Sequence, residues 1–90
     1  MPFVRVALDV PIPHLFDYQH DSATDRTIGC RVVVPFGRKR LVGVVVEIDD
    51  TTELSAQRIR SVEAVLDDLP PMPKEWIDFC RFAADYYQRP

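Results

Sequence analysis

The sequence predicts a mainly β domain: a small, strongly bent antiparallel sheet or partial OB-like barrel with one C-terminal α-helix. Three observations predict it. β-branched runs recur at short spacing, at Phe3–Leu8, Arg31–Val34 and Leu41–Ile48, each bounded by proline, glycine or polar residues. One stretch only, about residues 74 to 88, carries a helical period. Ninety residues is the size of one small domain with a modest core.

Phe3-Val4-Arg5-Val6-Ala7-Leu8 reads as a first strand. Val10-Pro11-Ile12-Pro13-His14 follows, stiffened because each proline fixes φ and drives its predecessor out of the helical region. It leads into a second extended segment, Phe16 to Gln19. Residues 20 to 28, rich in Asp, Ser and Thr, read as a polar loop ending at Gly29. Arg31-Val32-Val33-Val34 is a strand that Pro35 is expected to stop, since proline donates no ladder hydrogen bond. Phe36-Gly37-Arg38-Lys39-Arg40 is expected to form a hairpin tip.

Leu41–Ile48 is the strongest strand. Its near-continuous apolar run predicts a central position, buried on both sides for part of its length. Gly43 inside it marks a bulge, a bend or a close backbone approach. Asp49 to Leu54 is a polar connection, and Ile59 to Leu66 alternates as one further strand. Pro70-Pro71-Met72-Pro73 forms a stiff break, dividing a β-rich part, 1–69, from a linker and helix, 70–90. In that helix Lys74, Asp78, Arg81, Asp85 and Gln88 recur at steps of four and three, forming one narrow polar stripe. The rest is apolar, more than a small sheet can cover. The helix is therefore expected to dock on something else, the ninety residues being an N-terminal piece of a longer protein.

Composition excludes several classes. Hydrophobic residues make up 47% and charged ones 28%, ordinary for a globular domain. No run approaches the roughly 18 apolar residues of a membrane span, and the N-terminus lacks a secretory pattern, so the expected compartment is the cytoplasm. Cys30 and Cys80 fit that compartment as free thiols. His14 and His20 add no C-x-x-C or H-x-x-x-H spacing, so no metal site is expected. Neither G-x-x-x-x-G-K-[ST] nor G-x-G-x-x-G occurs. Asp49-Asp50 and Asp67-Asp68 sit at strand ends, where turn carboxylates are usual. The segment is not expected to be an enzyme; Asp17 as a general base lacks any partner group.

The net charge is −3, yet residues 26–46 hold Arg26, Arg31, Arg38, Lys39 and Arg40 and no acid. Such a basic stripe on an acidic body can face an anion, or be a solvated hairpin tip. Phe16-Asp17-Tyr18 is similarly two-sided. It makes a small recognition pocket, or a proline-guided strand with packed rings and a solvated acid.

An ordered set of segments narrows these alternatives. Val6-Ala7-Leu8-Asp9-Val10-Pro11-Ile12-Pro13 is followed by Phe16-Asp17-Tyr18, Gly29-Cys30-Arg31-Val32-Val33-Val34-Pro35-Phe36-Gly37, Val42-Gly43-Val44-Val45 and finally Ala83-Ala84-Asp85-Tyr86-Tyr87. Together they resemble the N-terminal domain of the bacterial replication-restart helicases of the PriA (primosomal protein N-prime) family, over essentially all 90 residues. The resemblance implies a module that binds the 3′ end of the nascent leading strand at stalled forks or D-loops and senses its free 3′-hydroxyl. Its longer protein would be an ATP-dependent 3′ to 5′ helicase that loads primosome proteins. The family pocket maps onto Phe16, Asp17, Tyr18 and Gly37, with Arg60 as the nearest match for a basic contributor. Arg38, Lys39 and Arg40 would meet phosphates. The resemblance further implies DNA, sibling helicase domains, primosome proteins and single-strand-binding proteins as partners, and nucleoid association. No cofactor is expected in this segment; the motifs for ATP with Mg²⁺, and the zinc-binding cysteines, would lie beyond residue 90.

The chemistry is coherent. An ionised carboxylate accepts the proton of a free hydroxyl in a charge-assisted bond and repels a 3′-phosphate. Aromatic faces stack on any base at roughly 1–3 kcal/mol each. A glycine lets backbone approach a sugar closely. The competing reading is a protein-interaction module that touches no DNA.

Overall fold

The computed structural model describes residues 2–11, 14–52, 54, 57–66 and 70–88, with side chains to residue 86. Six strands form one curled sheet: β1 (Phe3–Leu8), β2 (Leu15–Gln19), β3 (Arg31–Phe36), β4 (Lys39–Asp49), β5 (Arg60–Ser61) and β6 (Ala64–Leu66). Their order is β5-β2-β1-β4-β3-β6. One helix, α1 (Lys74–Gln88), follows. The mainly β, partly barrel-like class with a C-terminal helix is thus observed. The sheet is mixed rather than purely antiparallel, because β2 and β5 run parallel.

The expected single strand over Ile59–Leu66 is two short ones, and the reason is topological. Val62 donates its N–H to Gln19 at 3.0 Å, and Glu63 donates to Val33 at 2.8 Å. One short segment thus leaves the β2 edge and joins the β3 edge, breaking at the crossing. It curls the sheet toward closure and covers part of the bare edge that β2 and β3 would otherwise present.

Alternation fills the interior. Val4 and Val6 on β1, Tyr18 on β2, Val32 and Val34 on β3 and Val45 on β4 form one buried cluster, with Leu8, Phe16 and Val62 packed against it. In β4, Val45 and Val46 are both fully buried. A bulge explains this: Arg5 pairs with Glu47 and Val6 with Val45, so Val46 has no Cα partner on β1. Gly43, by contrast, is a close approach. A Cβ there would lie within 2.4 Å of Val6 Cγ1 and 2.8 Å of the Ala7 carbonyl oxygen.

Pro35 does not stop β3, which continues to Phe36 with Pro35 opposite Arg40. The Pro35 carbonyl is turned to the Tyr18 hydroxyl, 2.7 Å away. In an antiparallel strand a residue's N–H and C=O point the same way, so its missing donor falls outside the β3–β4 ladder. The hairpin tip is therefore only Gly37-Arg38, shorter than expected. Gly37 has φ of 60° and, among the described residues, no non-glycine residue has positive φ, which fits a two-residue turn of type II′.

The proline-rich segment is fastened to the sheet. Met72 N–H reaches the Gly29 carbonyl at 2.9 Å, and Arg31 donates to Pro70 O at 3.1 Å. Of α1, Ile77 and Ala84 are buried, whereas Phe79, Phe82 and Tyr86 are 64–68% exposed. These three stand at i, i+3 and i+7, an outward apolar stripe. The predicted polar stripe is itself divided: Lys74 pairs with Asp78, while Arg81 turns to the sheet and binds Glu47. Ile12, Pro13, Asp67 and Asp68 lie outside the described residues.

Candidate nucleic-acid interface

β2 supplies the aromatic-acid-aromatic triplet, and strand pleating divides it. Phe16 and Tyr18 share one face, and Asp17 projects from the other. Tyr18 is 5% exposed, so its ring is part of the core. Burial pushes its phenol above the ordinary tyrosine range, and the nearby Arg60 guanidinium pulls the other way. Phe16 is half-buried. Its ring meets Phe36 edge-on at 5.2 Å between centroids, and His14 at 4.9 Å.

The structure brings Tyr18, Gly37 and Arg60 together. Arg60 is the direct Cα partner of Tyr18, and its Nη1 donates to the Gly37 carbonyl at 3.0 Å. Phe36, the ring against Phe16, immediately precedes Gly37. Phe16 thus links this group to the far side of the strand. No side-chain or backbone atom would lie within 4 Å of a Cβ at Gly37, so the tip is open.

Asp17 faces elsewhere. It pairs with Arg5 directly across the β1–β2 register, with Arg5 Nε 3.5 Å from Oδ1. Thr52 donates its hydroxyl to Oδ2 at 2.5 Å. Arg5 also reaches Glu47 and Asp49 at 3.0 Å each. The Thr51 backbone N–H, and secondarily Arg5, hold the Asp49 carboxyl below the ordinary range. Phe16 and Asp17 border one cavity of about 550 Å³ with Leu54, Arg5 and the α1 residues Arg81 and Asp85. Among the described residues β5 pairs only with Tyr18 and Gln19, so no strand covers Leu15–Asp17 on that edge. A ligand lying across it can reach Phe16 from one side and Asp17 from the other.

The basic tip is unequal. Arg38 and Lys39 are exposed at the turn, whereas Arg40 is tied to Glu63 at 2.7 Å. Arg5, Thr52 and Arg81 are not among the expected site residues. Arg5 was legible as an odd charge inside an apolar strand; Thr52 and Arg81 carried no signal, being set by tertiary contact. A second cavity of about 460 Å³ beneath α1, bordered by Leu8, Val42, Trp76 and Ala83, holds none of the expected site residues. Among the described residues no three His, Cys, Asp or Glu side chains gather to hold a metal ion, and no helix is long and apolar enough to cross a membrane.

The profile of a family described as the 3′ DNA-binding domain (3′BD) of PriA matches residues 5–90. The chain is 36% identical over 88 residues to the replication restart protein PriA of Haemophilus influenzae, covering 98% of this chain and 12% of that protein. It is 31% identical over 91 residues to the PriA of Bacillus subtilis, covering 94% of this chain and 11% of that protein. To the PriA of Buchnera aphidicola it is 33% identical over 67 residues, or 74% of this chain and 9% of that protein. The chain thus spans only a small fraction of its relatives' length, and it belongs to the family of PriA 3′ DNA-binding domains.

Proposed function

We propose that this chain grips the 3′ end of a DNA strand and tests it for a free hydroxyl. The observation that carries the reading is the position of Phe16. Its ring touches Phe36 beside the open Gly37 tip, and it borders the same cavity as Asp17. A terminal nucleotide across the β2 edge would place its base against Phe16, the less buried of the two rings, with Tyr18 as the floor. Its 3′-hydroxyl would donate to Asp17, which retains acceptor capacity because a carboxylate offers about four lone-pair sites. Arg60 and the tip residues Arg38 and Lys39 would meet phosphates 5′ to the end. In a longer PriA protein the module would bring a 3′ to 5′ helicase to the nascent leading strand of a stalled fork or D-loop, for replication restart and primosome assembly.

The test is equilibrium binding of short single strands that differ only in ending with a 3′-hydroxyl or a 3′-phosphate. The hydroxyl end should bind about tenfold or more tightly, as expected for a lost charge-assisted hydrogen bond plus repulsion. Equal binding of both ends, or of neither, refutes the reading. A second reading, docking on sibling helicase domains or primosome partners without DNA, is favoured by the exposed Phe79, Phe82 and Tyr86. It predicts that charging these three residues abolishes partner binding, and that neither the wild type nor that variant binds the strands.

A further inference from the structure

Arg5 is a charge in the middle of a sheet strand, and register sets it between acids. Asp17 on β2 and Glu47 on β4 are its direct partners to either side. Its guanidinium uses Nε toward Asp17 Oδ1 and Nη1 toward Glu47 Oε2 and Asp49 Oδ2. The Arg5 side chain is 23% exposed and that of Asp17 is 16% exposed, so both are largely withdrawn from solvent. Glu47 is held in turn from α1, where Arg81 Nη2 lies 2.7 Å from its other oxygen. Asp17 is gripped from a second direction by the Thr52 hydroxyl.

This arrangement suits positioning more than phosphate capture. Three carboxylates surround the Arg5 guanidinium, so little of its charge is left for a phosphate. A planar guanidinium fixes the direction as well as the charge of what it binds. Glu47 and Asp49 fix the guanidinium, and the guanidinium with Thr52 fixes Asp17.

We propose that Arg5 is the positioning residue of Asp17, holding its carboxylate in the one rotamer that receives a strand's 3′-hydroxyl, with Glu47 and Arg81 bracing Arg5 from the helix side. The proposal rests on the end-recognition reading above. Its role is distinct from contact with DNA: Arg5 sets how sharply ends are told apart, whereas Phe16 and the basic tip set how tightly strands are held.

Two measurements test it on the whole 90-residue chain. The first is the ratio of affinities for 3′-hydroxyl and 3′-phosphate strands in wild type, Arg5→Gln and Arg5→Lys. Because Arg5→Gln leaves three acids facing one another, the double variant Arg5→Gln/Glu47→Gln serves where the single one melts. The expected result is a preference about tenfold in wild type, near unity in the glutamine variants and partly restored in Arg5→Lys, with affinity for the phosphate-ended strand little changed. The second is the Asp17 χ1 rotamer, read from NMR side-chain couplings without DNA: single in wild type, averaged in the variants. A folded variant that keeps both the preference and the single rotamer overturns the proposal. A wild type without preference refutes end recognition itself, and the rotamer then decides alone whether Arg5 holds Asp17.

Discussion

The Tyr18 hydroxyl donates to the Pro35 carbonyl at 2.7 Å, joining β2 to β3 although the two strands are not neighbours in the sheet. The bond crosses the interior of the curled sheet and satisfies both a buried phenol and a carbonyl outside the β3–β4 ladder. Tyr18→Phe keeps the ring and removes the bond, so it should cost about 0.5–1.5 kcal/mol. Urea denaturation should show a lower midpoint with an unchanged slope. The same residue sets an alkaline limit. Burial raises its folded pKa, so the folded state keeps the proton that the unfolded chain loses above about pH 10. Its contribution is complete below that pH and is lost as pH rises through the folded value. The Tyr18→Phe chain should therefore lose less stability than wild type as the pH rises above about 10; identical losses would place the alkaline limit elsewhere.

Two glycines should respond differently to alanine. Gly37 has φ of 60° but open space around its Cβ position, so Gly37→Ala meets only the strain of a positive φ, about 1–2 kcal/mol. A Cβ at Gly43 would come within 2.8 Å of Val6, Leu8 and the Ala7 carbonyl. Gly43→Ala must displace backbone in the centre of the sheet and should cost about 3 kcal/mol or more. Thermal melts of both variants check this; similar melting temperatures would contradict it.

The sequence carried the strands wherever local pattern decided them. β1, β4 and α1 stand on β-branched runs and a helical period, and Gly43 on an interrupted apolar run. What failed was decided by distant partners. Pro35 continues its strand because its carbonyl finds Tyr18, and Ile59–Leu66 breaks because it must serve two edges. The parallel β2–β5 pairing follows from the same crossing and has no local signature. For the site, Phe16-Asp17-Tyr18 and Gly37 were visible as residue types. That Asp17 projects from the face opposite its two aromatic neighbours follows from the two-residue period of a strand, yet what it meets there, Arg5 and Thr52, depends on register alone.

Asp17→Ala should leave the fold intact. Arg5 retains Glu47 and Asp49, so losing Asp17, and with it the Thr52 bond, leaves no charge without a partner and costs about 1–3 kcal/mol. The variant should bind strands ending in 3′-hydroxyl and 3′-phosphate alike. Circular dichroism and the two binding curves check both halves. An unfolded variant would make Asp17 a structural residue, and a folded one that still prefers the hydroxyl would remove it from end recognition.

The basic residues should separate by their existing partners. Arg38 and Lys39 are exposed with no ion pair among the described residues, so DNA gains their full charge. Arg40 must first leave Glu63, 2.7 Å away, and Arg60 must leave the Gly37 carbonyl. On single strands each neutralised phosphate contributes about 0.7 to the slope of log K against log salt. Arg38→Ala/Lys39→Ala should therefore lower the magnitude of the slope by about 1.4 if each meets one phosphate. It should also weaken hydroxyl- and phosphate-ended strands by the same factor. Arg40→Ala should change the slope far less. Arg60→Ala should weaken binding and also loosen the Gly37 turn, seen as faster amide exchange at Gly37 and Arg38. A double tip variant with an unchanged slope would make that hairpin a solvated turn, leaving the β2 edge and Arg60 as the whole of the interface.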